Sequence, residues 1–193
     1  MQDTSLQGFL TTIALHQIPV LTDSRYREMT QGQVNLGDTD AAELIQLRPV
    51  RRYALIKRLM DIVLALLALI MLSPLLLLVA VLIRLESRGN PIFIQERVGL
   101  TGQPFWMLKF RSMVSEADKS GAQFASVNDS RITRMGRLIR PSRIDELPQL
   151  INVLFGQMSL IGPRPEQQAM VDQLSAEIPL YHFRHAVRPG ITG

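Results

Sequence analysis

The sequence contains no cysteine and only three histidines among 193 residues. The absence of cysteine excludes disulfide frameworks, thiolate nucleophiles, zinc fingers and iron–sulfur clusters, and three scattered histidines argue against a histidine-built metal site. Any metal here would therefore have oxygen ligands. Aromatic residues are few, at 6%, and the net charge is only +4, too small a surplus to indicate a nucleic-acid-binding protein by itself.

One uncharged apolar run of about 22 residues extends from Ile62 to Ile83, which is long enough to cross a bilayer as a helix. Its distance from the amino terminus and the lack of a cleavage site behind it favour a retained anchor over a signal peptide. Asp61 is expected to pair with neighbouring cations at the membrane interface. Basic residues flank both ends, so the positive-inside bias selects no orientation: Arg51, Arg52, Lys57, Arg58, Arg84 and Arg88.

Ser73 and Pro74 lie at the centre of this run. Proline lacks an N–H and clashes with the preceding turn, so the pair predicts a break in the helix. Each half would hold about 11 residues, enough for one leaflet of a core roughly 30 Å thick. Two topologies remain open. The basic flanks favour a re-entrant helix-break-helix that enters and leaves on the cytoplasmic face, and the alternative is one proline-kinked spanning helix.

The sequence outside the anchor predicts a mostly helical α+β fold. Residues 1–50 are polar and are interpreted as an amino-terminal extension or the remnant of a larger domain. Residues 51–90 form the anchor, and residues 91–193 form the soluble domain. Within that domain the segments PIFIQERVG and QPFWMLKFRSM predict a β-hairpin. Apolar spacing predicts helices from Ile132 to Ile139, from Leu147 to Leu154 and from Glu166 to Ile178, with turns at 162–165 and 188–190.

Basic residues are concentrated between Arg97 and Arg143, where they outnumber acidic residues about three to one. Arginine binds phosphate oxygens and anionic headgroups, so the region indicates an anionic ligand. A solvated basic face beside a membrane is the alternative. Nucleic acid is the weaker partner, because few aromatic residues are interspersed. The basic residues are Arg97, Lys109, Arg111, Lys119, Arg131, Arg134, Arg137, Arg140 and Arg143, and the acidic ones are Glu116, Asp118 and Asp129.

The adjacent carboxylates of Asp145 and Glu146 are the sharpest local feature. Pro148 is best accommodated in the first turn of a helix, which places both carboxylates at a helix amino terminus. Free N–H groups there stabilise anions, a hard cation can bridge carboxylate and phosphate, and an ionised aspartate can attack phosphorus. Simple helix capping accounts for the same pair.

Three longer segments resemble the bacterial sugar transferases called monotopic phosphoglycosyl transferases. They are FIQERVGLTGQPFWMLKFRSM, NDSRITRMGRLIRPSRIDELPQLINVLFGQMSLIGPRPE and RPGITG, and the resemblance covers about residues 51–193. It implies a re-entrant membrane helix and a catalytic domain that transfers a phosphosugar from a UDP-sugar to a polyprenyl phosphate, usually undecaprenyl phosphate, with release of UMP. This would begin polysaccharide or glycoconjugate assembly.

The resemblance also implies a site. Asp145 would be the nucleophile that forms a covalent phosphosugar intermediate, and Glu146 would hold Mg²⁺ with it or assist the acceptor. Lys109, Arg111 and Arg164 match positions near phosphate or nucleotide, and Arg140 is expected to join them. Supporting or loop-shaping roles are expected for Gln95, Arg97, Gln149, Gly162, Pro163 and Pro165.

Two features depart from the family pattern. Arg143 stands where many relatives carry serine, and the sequence ends at Gly193 where relatives usually continue, so a truncated catalytic domain is expected. The expected setting is the cytoplasmic face of a bacterial inner membrane, with the lipid bilayer as a partner, no nucleic acid, and a homodimer as an alternative to a monomer. The competing hypothesis is a non-enzymatic basic scaffold that binds anionic lipid or polysaccharide-assembly proteins.

Overall fold

A computed structural model of the chain describes Thr30, residues 51–114 and residues 131–193. Contacts separate residues 1–48 from residues 49–193, and only the second unit is described below. The extension predicted over residues 1–50 therefore lies outside the described residues, Thr30 excepted. Four charged residues of the predicted basic region also lie outside them: Glu116, Asp118, Lys119 and Asp129.

The apolar run belongs to a single helix, α1, which extends over 36 residues from Arg51 to Glu86 with Pro74 inside it. The predicted break in the helix at Ser73 and Pro74 is therefore wrong. Pro74 supplies no N–H for the carbonyl of Ile70 four residues earlier. The Ser73 hydroxyl donates to that same carbonyl at 2.8 Å, so the missing donor is replaced locally and the helix continues.

This replacement predicts that a substitution at Pro74 restores the stability that is lost by a substitution at Ser73. Ser73→Ala leaves the Ile70 carbonyl without its donor and is expected to lower the free energy of unfolding by about 1–3 kcal/mol, whereas Ser73→Thr keeps the hydroxyl. Adding Pro74→Ala to Ser73→Ala supplies a backbone N–H and is expected to restore stability. Denaturation in detergent, followed by circular dichroism, checks this. Equal stability of Ser73→Ala with and without Pro74→Ala contradicts the account.

One face of α1 packs against the soluble domain along most of the helix. The buried or half-buried positions recur every three or four residues, as one helical face requires: Arg58, Asp61, Ala65, Leu69, Leu72, Leu76, Val79 and Ile83. The other face exposes large apolar side chains: Leu55, Leu59, Leu66, Ile70, Leu77 and Leu85. By length and composition α1 can cross a membrane. Its unburied face is suited to lipid.

The predicted β-hairpin is confirmed. Strand β1 (Ile92–Val98) pairs antiparallel with β2 (Pro104–Phe110), and a 3-10 turn, Leu100–Gly102, joins them. Phe105 and Met107 of β2 are buried in a core with Ala65 of α1. Phe110, at the far end of β2, contacts a second core with Val79 and Ile83. The hairpin therefore lies alongside α1 and supports both halves of that helix.

Short helices complete the domain. Helix α2 spans Arg134–Ile139, a 3-10 turn spans Ile144–Glu146, and helix α3 spans Gln149–Leu154. Strand β3 (Ser159–Ile161) precedes helix α4 (Gln168–Glu177), the 3-10 segment Tyr181–Ala186 and strand β4 (Gly190–Thr192). The predicted helices are thus present but shorter at most of their ends. The fold is mostly helical with small sheets, as expected for the α+β class.

Two residues differ in position from what the apolar spacing predicts. Leu138 was expected on the buried face of α2 but is 68% exposed, whereas Ile139 is buried. Ile132 precedes the helix and forms an isolated bridge with Met113. The parallel pairing of β3 with β4, which sets Ser159 opposite Gly190, was not predicted because each strand has only three residues.

Candidate active site

Asp145 and Glu146 lie in a tight turn between two helices. Arg143 has a φ of 55°, a left-handed conformation that is unusual for a residue other than glycine, and the chain reverses there into the 3-10 turn. Glu146 donates its N–H to the carbonyl of Arg143 at 3.1 Å. Pro148 directly precedes α3, close to its predicted place in the first turn of this helix. The local sequence therefore fixes the backbone of both carboxylates.

Glu146 is buried and forms an ion pair with Arg164. Its Oε1 accepts a hydrogen bond from Nη2 of Arg164 at 2.9 Å. The side chain of Glu146 is 10% exposed, whereas that of Arg164 is 54% exposed. The buried anion is thus neutralised by a cation that reaches it from the solvent side.

The pKa of Asp145 is raised. Burial is the largest cause and the neighbouring charge of Glu146 adds to it, whereas Lys109 and Arg140 act in the opposite direction. The structure thus places two of the predicted phosphate-binding cations within electrostatic reach of the predicted nucleophile. Asp145 is partly exposed, so a substrate can approach it.

Lys109 is on β2, on the side of the hairpin that faces the two carboxylates. The pKa of Lys109 is lowered to about 8, mainly by burial and also by the positive charges of Arg97 and Arg164, while Glu146 and Asp145 oppose the shift. A lysine with this pKa is mostly protonated at neutral pH and loses its charge in mildly alkaline solution. The positive charge of Lys109 is therefore available to a ligand only up to mildly alkaline pH.

Lys109, Glu146 and Arg164 line a small cleft, and Asp145 directly precedes Glu146 in the chain. Cationic side chains that converge in this way suit an anionic group such as a phosphate. The polar lining of the cleft is mostly cationic. The cleft is lined by Arg97, Met107, Lys109, Glu146, Gln149, Arg164, Pro165, Gly190 and Ile191.

The loop that carries Arg164 is held by four consecutive carbonyl groups. The carbonyl of Pro163 accepts from the N–H of Gly190, and that of Glu166 accepts from the N–H of Val98. The carbonyl of Arg164 accepts a hydrogen bond from the guanidinium of Arg184 at 2.8 Å. The carbonyl of Pro165 accepts one from the guanidinium of Arg97 at 3.2 Å. The backbone of the loop is therefore fixed, although the Arg164 side chain projects into solvent.

The carboxylate pair fits magnesium in a phosphate-assisted arrangement. Across residues 51–114 and 131–193, no group of three or more histidine, cysteine or acidic side chains is placed to hold a metal ion. Mg²⁺ commonly takes one or two carboxylates and completes its shell with water and substrate phosphates. Asp145 and Glu146 meet that requirement, with Glu146 engaged by Arg164 in this structure.

Arg111 lies away from this cleft. Its guanidinium donates to the carbonyls of Ser87 and Arg88 and to the Ser87 hydroxyl, at 2.8–3.3 Å, so it caps the carboxyl-terminal end of α1. The structure thus gives Arg111 a different contact from the phosphate expected at the sequence level. Gly89, which follows α1, approaches the same guanidinium so closely that a Cβ would collide with it.

The other predicted residues divide into lining and supporting groups. Arg97 and Gln149 line the cleft, and Gln95 accepts hydrogen bonds from Arg97 at 2.7 and 3.2 Å. Arg184 was missed because it touches the loop through a backbone carbonyl, which leaves no pattern in the sequence. Gly190 was read only as a turn residue, although the RPG segment that contains it is a visible signal.

The anchoring residues of α1 reach the elements that carry the site. Lys57 pairs with Asp61 at 2.6 Å, as predicted, and both contact the Ser159 hydroxyl of β3. Arg58 instead donates to the carbonyls of Val153 and Leu154 at the end of α3. The helix is therefore attached to the strand before Arg164 and to the helix after Glu146.

A long apolar helix joined to a cation-lined cleft is typical of the class of proteins that bind anionic groups beside a membrane. Comparison with known proteins agrees with this class. The sequence model described as "Bacterial sugar transferase" matches residues 52–193. The chain belongs to the bacterial sugar transferase family.

Several characterised relatives are close to this chain. It is 49% identical to the UDP-N-acetylgalactosamine-undecaprenyl-phosphate N-acetylgalactosaminephosphotransferase of Aeromonas hydrophila, over 100% of this chain and 47% of the relative. It is 48% identical to the UDP-glucose:undecaprenyl-phosphate glucose-1-phosphate transferase of Caulobacter vibrioides, over 83% of this chain and 61% of the relative. The Escherichia coli protein of the same description is 49% identical over 72% of this chain and 30% of its own length. The chain thus spans about half the length of the first of these relatives.

Proposed function

We propose that the protein transfers a phosphosugar from a UDP-sugar to undecaprenyl phosphate at the surface of a membrane. The observation that carries this proposal is the partly buried Asp145 carboxylate, next to Glu146 and within reach of Lys109 and Arg140. The relatives named above act on UDP-sugars and undecaprenyl phosphate, which supports the same substrates here.

The first step is displacement at the β-phosphorus of the UDP-sugar. A carboxylate oxygen of Asp145 forms a bond to this phosphorus, and the bond from phosphorus to the bridging oxygen breaks. UMP departs with that electron pair, leaving a phosphosugar on Asp145. The cations beside the carboxylate neutralise the donor's phosphate charge, which otherwise repels an anionic nucleophile.

The second step regenerates Asp145. A phosphate oxygen of undecaprenyl phosphate attacks the phosphorus of the intermediate, the bond to the Asp145 oxygen breaks, and the lipid-linked diphosphosugar departs. Both steps use one small cleft, so UMP must leave before the acceptor phosphate enters. This order gives ping-pong kinetics.

The surrounding residues bind and orient the phosphates. Lys109 and Arg164 line the cleft and would bind donor oxygens, while Arg140 would stabilise the charge beside Asp145. Glu146, together with Asp145, would hold Mg²⁺. When bound, this ion supplies a Lewis acid that polarises the reacting phosphoryl group. Arg111 is not assigned to substrate, because it caps α1.

We also propose that α1 is held at the cytoplasmic face of the inner membrane and does not cross it. Near its start, Arg58 binds the carbonyl of Leu154, and at its end the Glu86 carboxylate accepts hydrogen bonds from the N–H groups of Arg134 and Met135. One small domain thus contacts both ends of the helix, which supports a monotopic arrangement over a spanning one. Cytoplasmic UDP-sugars would then reach the cleft directly.

Intact-mass measurement without acceptor tests the proposed chemistry. The protein, in nanodiscs with Mg²⁺, is incubated with a panel that includes UDP-N-acetylgalactosamine and UDP-glucose, the donors in the relatives' descriptions. One donor is expected to add the mass of its phosphosugar and to release an equal amount of UMP. Neither adduct nor UMP, from this chain and from a longer natural chain, would overturn the proposal and favour the membrane scaffold.

The pH dependence of kcat/KM for the donor should have an acidic limb, from Asp145, and an alkaline limb, from Lys109. The value of kcat/KM for the donor is expected to rise with pH through the raised pKa of Asp145, whose ionised form is the nucleophile. It is expected to fall near pH 8, where Lys109 loses its proton and hence its attraction for phosphate. Lys109→Arg retains the charge at higher pH and should remove the alkaline limb. An unchanged alkaline limb in Lys109→Arg would contradict this assignment.

A further inference from the structure

Arg164 occupies a carboxylate that a metal ion in the cleft would use. Glu146 is one of the two acidic side chains available to a cation in the cleft, and its Oε1 is occupied by Arg164 at 2.9 Å. A guanidinium and a divalent cation cannot both lie against one carboxylate oxygen without strong repulsion. A cation that uses Oε1, or both oxygens of Glu146, therefore requires Arg164 to move away.

The side chain of Arg164 can move without disturbing the fold. Its exposed fraction is 54%, so little packing holds the guanidinium on Glu146. The loop backbone is fixed by Arg184 and Arg97 through the carbonyls of Arg164 and Pro165. Rotation about the side-chain bonds of Arg164 is thus sufficient to release Glu146. Lys109, which would also bind phosphate, lines the same cleft.

The charge balance of the cleft shows what displaces Arg164. The cations Arg97, Lys109, Arg140 and Arg164 outnumber Asp145 and Glu146, and they still do so when Glu166, 3.7 Å from Arg97, is included. A divalent cation alone adds to this positive excess. A nucleoside diphosphate brings at least two negative charges and offers Arg164 oxygens that suit a guanidinium fork better than one buried carboxylate oxygen.

We propose that Arg164 couples metal binding to donor binding: it neutralises Glu146 until a nucleoside diphosphate enters, then transfers to the phosphate oxygens and leaves Glu146 to the divalent cation. The proposal rests on the proposed function for the identity of the diphosphate. It makes the metal and the donor bind cooperatively, and by linkage each strengthens the binding of the other by the same factor.

Binding of Mn²⁺, measured by electron paramagnetic resonance, tests the coupling without turnover. The protein is held in nanodiscs with and without UDP, and Mn²⁺ bound by UDP in solution is subtracted. For the wild type we expect weak Mn²⁺ binding alone and an increase of about tenfold or more with UDP. Mn²⁺ affinity that UDP does not change, or no Mn²⁺ binding even with UDP, would overturn the proposal.

The variant Arg164→Gln removes the competing charge. It is expected to bind Mn²⁺ alone about tenfold more tightly than the wild type and to lose most of the gain from UDP. Arg88→Gln, at an exposed arginine after α1, removes the same charge elsewhere and should behave as the wild type. If Arg164→Gln fails to fold, Glu146→Gln provides the second test, because it should abolish the UDP-dependent gain.

The outcome is separable from the proposed function. A phosphosugar adduct with Mn²⁺ binding that is independent of UDP would leave the transferase intact and remove only the coupling. Conversely, UDP-dependent Mn²⁺ binding without an adduct from any UDP-sugar would retain the coupling and remove the covalent mechanism. Tighter Mn²⁺ binding in both Arg164→Gln and Arg88→Gln would reduce the effect to general electrostatics and overturn the role of Arg164.

Discussion

Asp145→Asn is expected to lower phosphosugar transfer by about 10⁴-fold and to abolish the donor-derived mass adduct. The amide has nearly the shape of the carboxylate but cannot act as an anionic nucleophile. Since Asp145 is only half-buried and the backbone hydrogen bond of its carboxylate is to its own residue, the fold should be unaffected. Intact mass and UMP release, measured on the same sample, check both results.

Glu146→Gln is the matched control for Asp145→Asn, because it neutralises the adjacent carboxylate and leaves the nucleophile in place. A slower but detectable adduct is expected, since Arg164 and Lys109 still line the cleft. An adduct that survives in Asp145→Asn would place the nucleophile elsewhere. Normal UDP affinity in an inactive Asp145→Asn variant would locate its defect in the chemical step.

Gly190→Ala is expected to destabilise the soluble domain by about 3 kcal/mol and to remove most activity. A Cβ at this position would collide with the backbone of Gly162, across the parallel pair β3–β4. The strands would have to separate, and the loop that directly follows β3 carries Arg164. Thermal denaturation by circular dichroism, together with the UMP assay, measures the two effects.

Gly102→Asn serves as the control for the glycine substitution. Gly102 has a φ of 77° and no atom within 4 Å of its absent Cβ. Asparagine tolerates this conformation better than other residues, so a change below about 1 kcal/mol is expected. Equal stability of Gly190→Ala and Gly102→Asn would mean that β3 and β4 can separate freely, against the close approach seen here.

Local patterns predicted the hairpin and the carboxylate turn. Alternation in the two segments around Gly99 and Gly102 is a short-range signal, so β1 and β2 could be placed without knowledge of the fold. The resemblance predicted Asp145, Glu146, Lys109 and Arg164 as a group. The structure brings these four together, whereas their roles in the reaction stay predictions.

Contacts between residues far apart in the chain could not be predicted from the sequence. Arg111 lies two residues after Lys109 in the same basic motif, but β2 ends at Phe110, and Arg111 beyond it binds the residues that follow α1 while Lys109 lines the cleft. The break expected at Pro74 did not occur because a single hydroxyl supplies the missing donor. Such an exchange depends on a rotamer, which composition and spacing do not specify.

In the proposed transferase, the attachments of α1 would fix the height of the cleft above the lipid. Arg58 and the Lys57–Asp61 pair join the helix directly to α3 and β3 through side-chain contacts of 2.5–2.9 Å. A water-soluble donor and a lipid-borne acceptor can meet at one atom only if that atom stays at the level the acceptor's phosphate reaches. If the proposed transfer takes place, the depth of α1 in the membrane would determine the level at which Asp145 meets the acceptor phosphate.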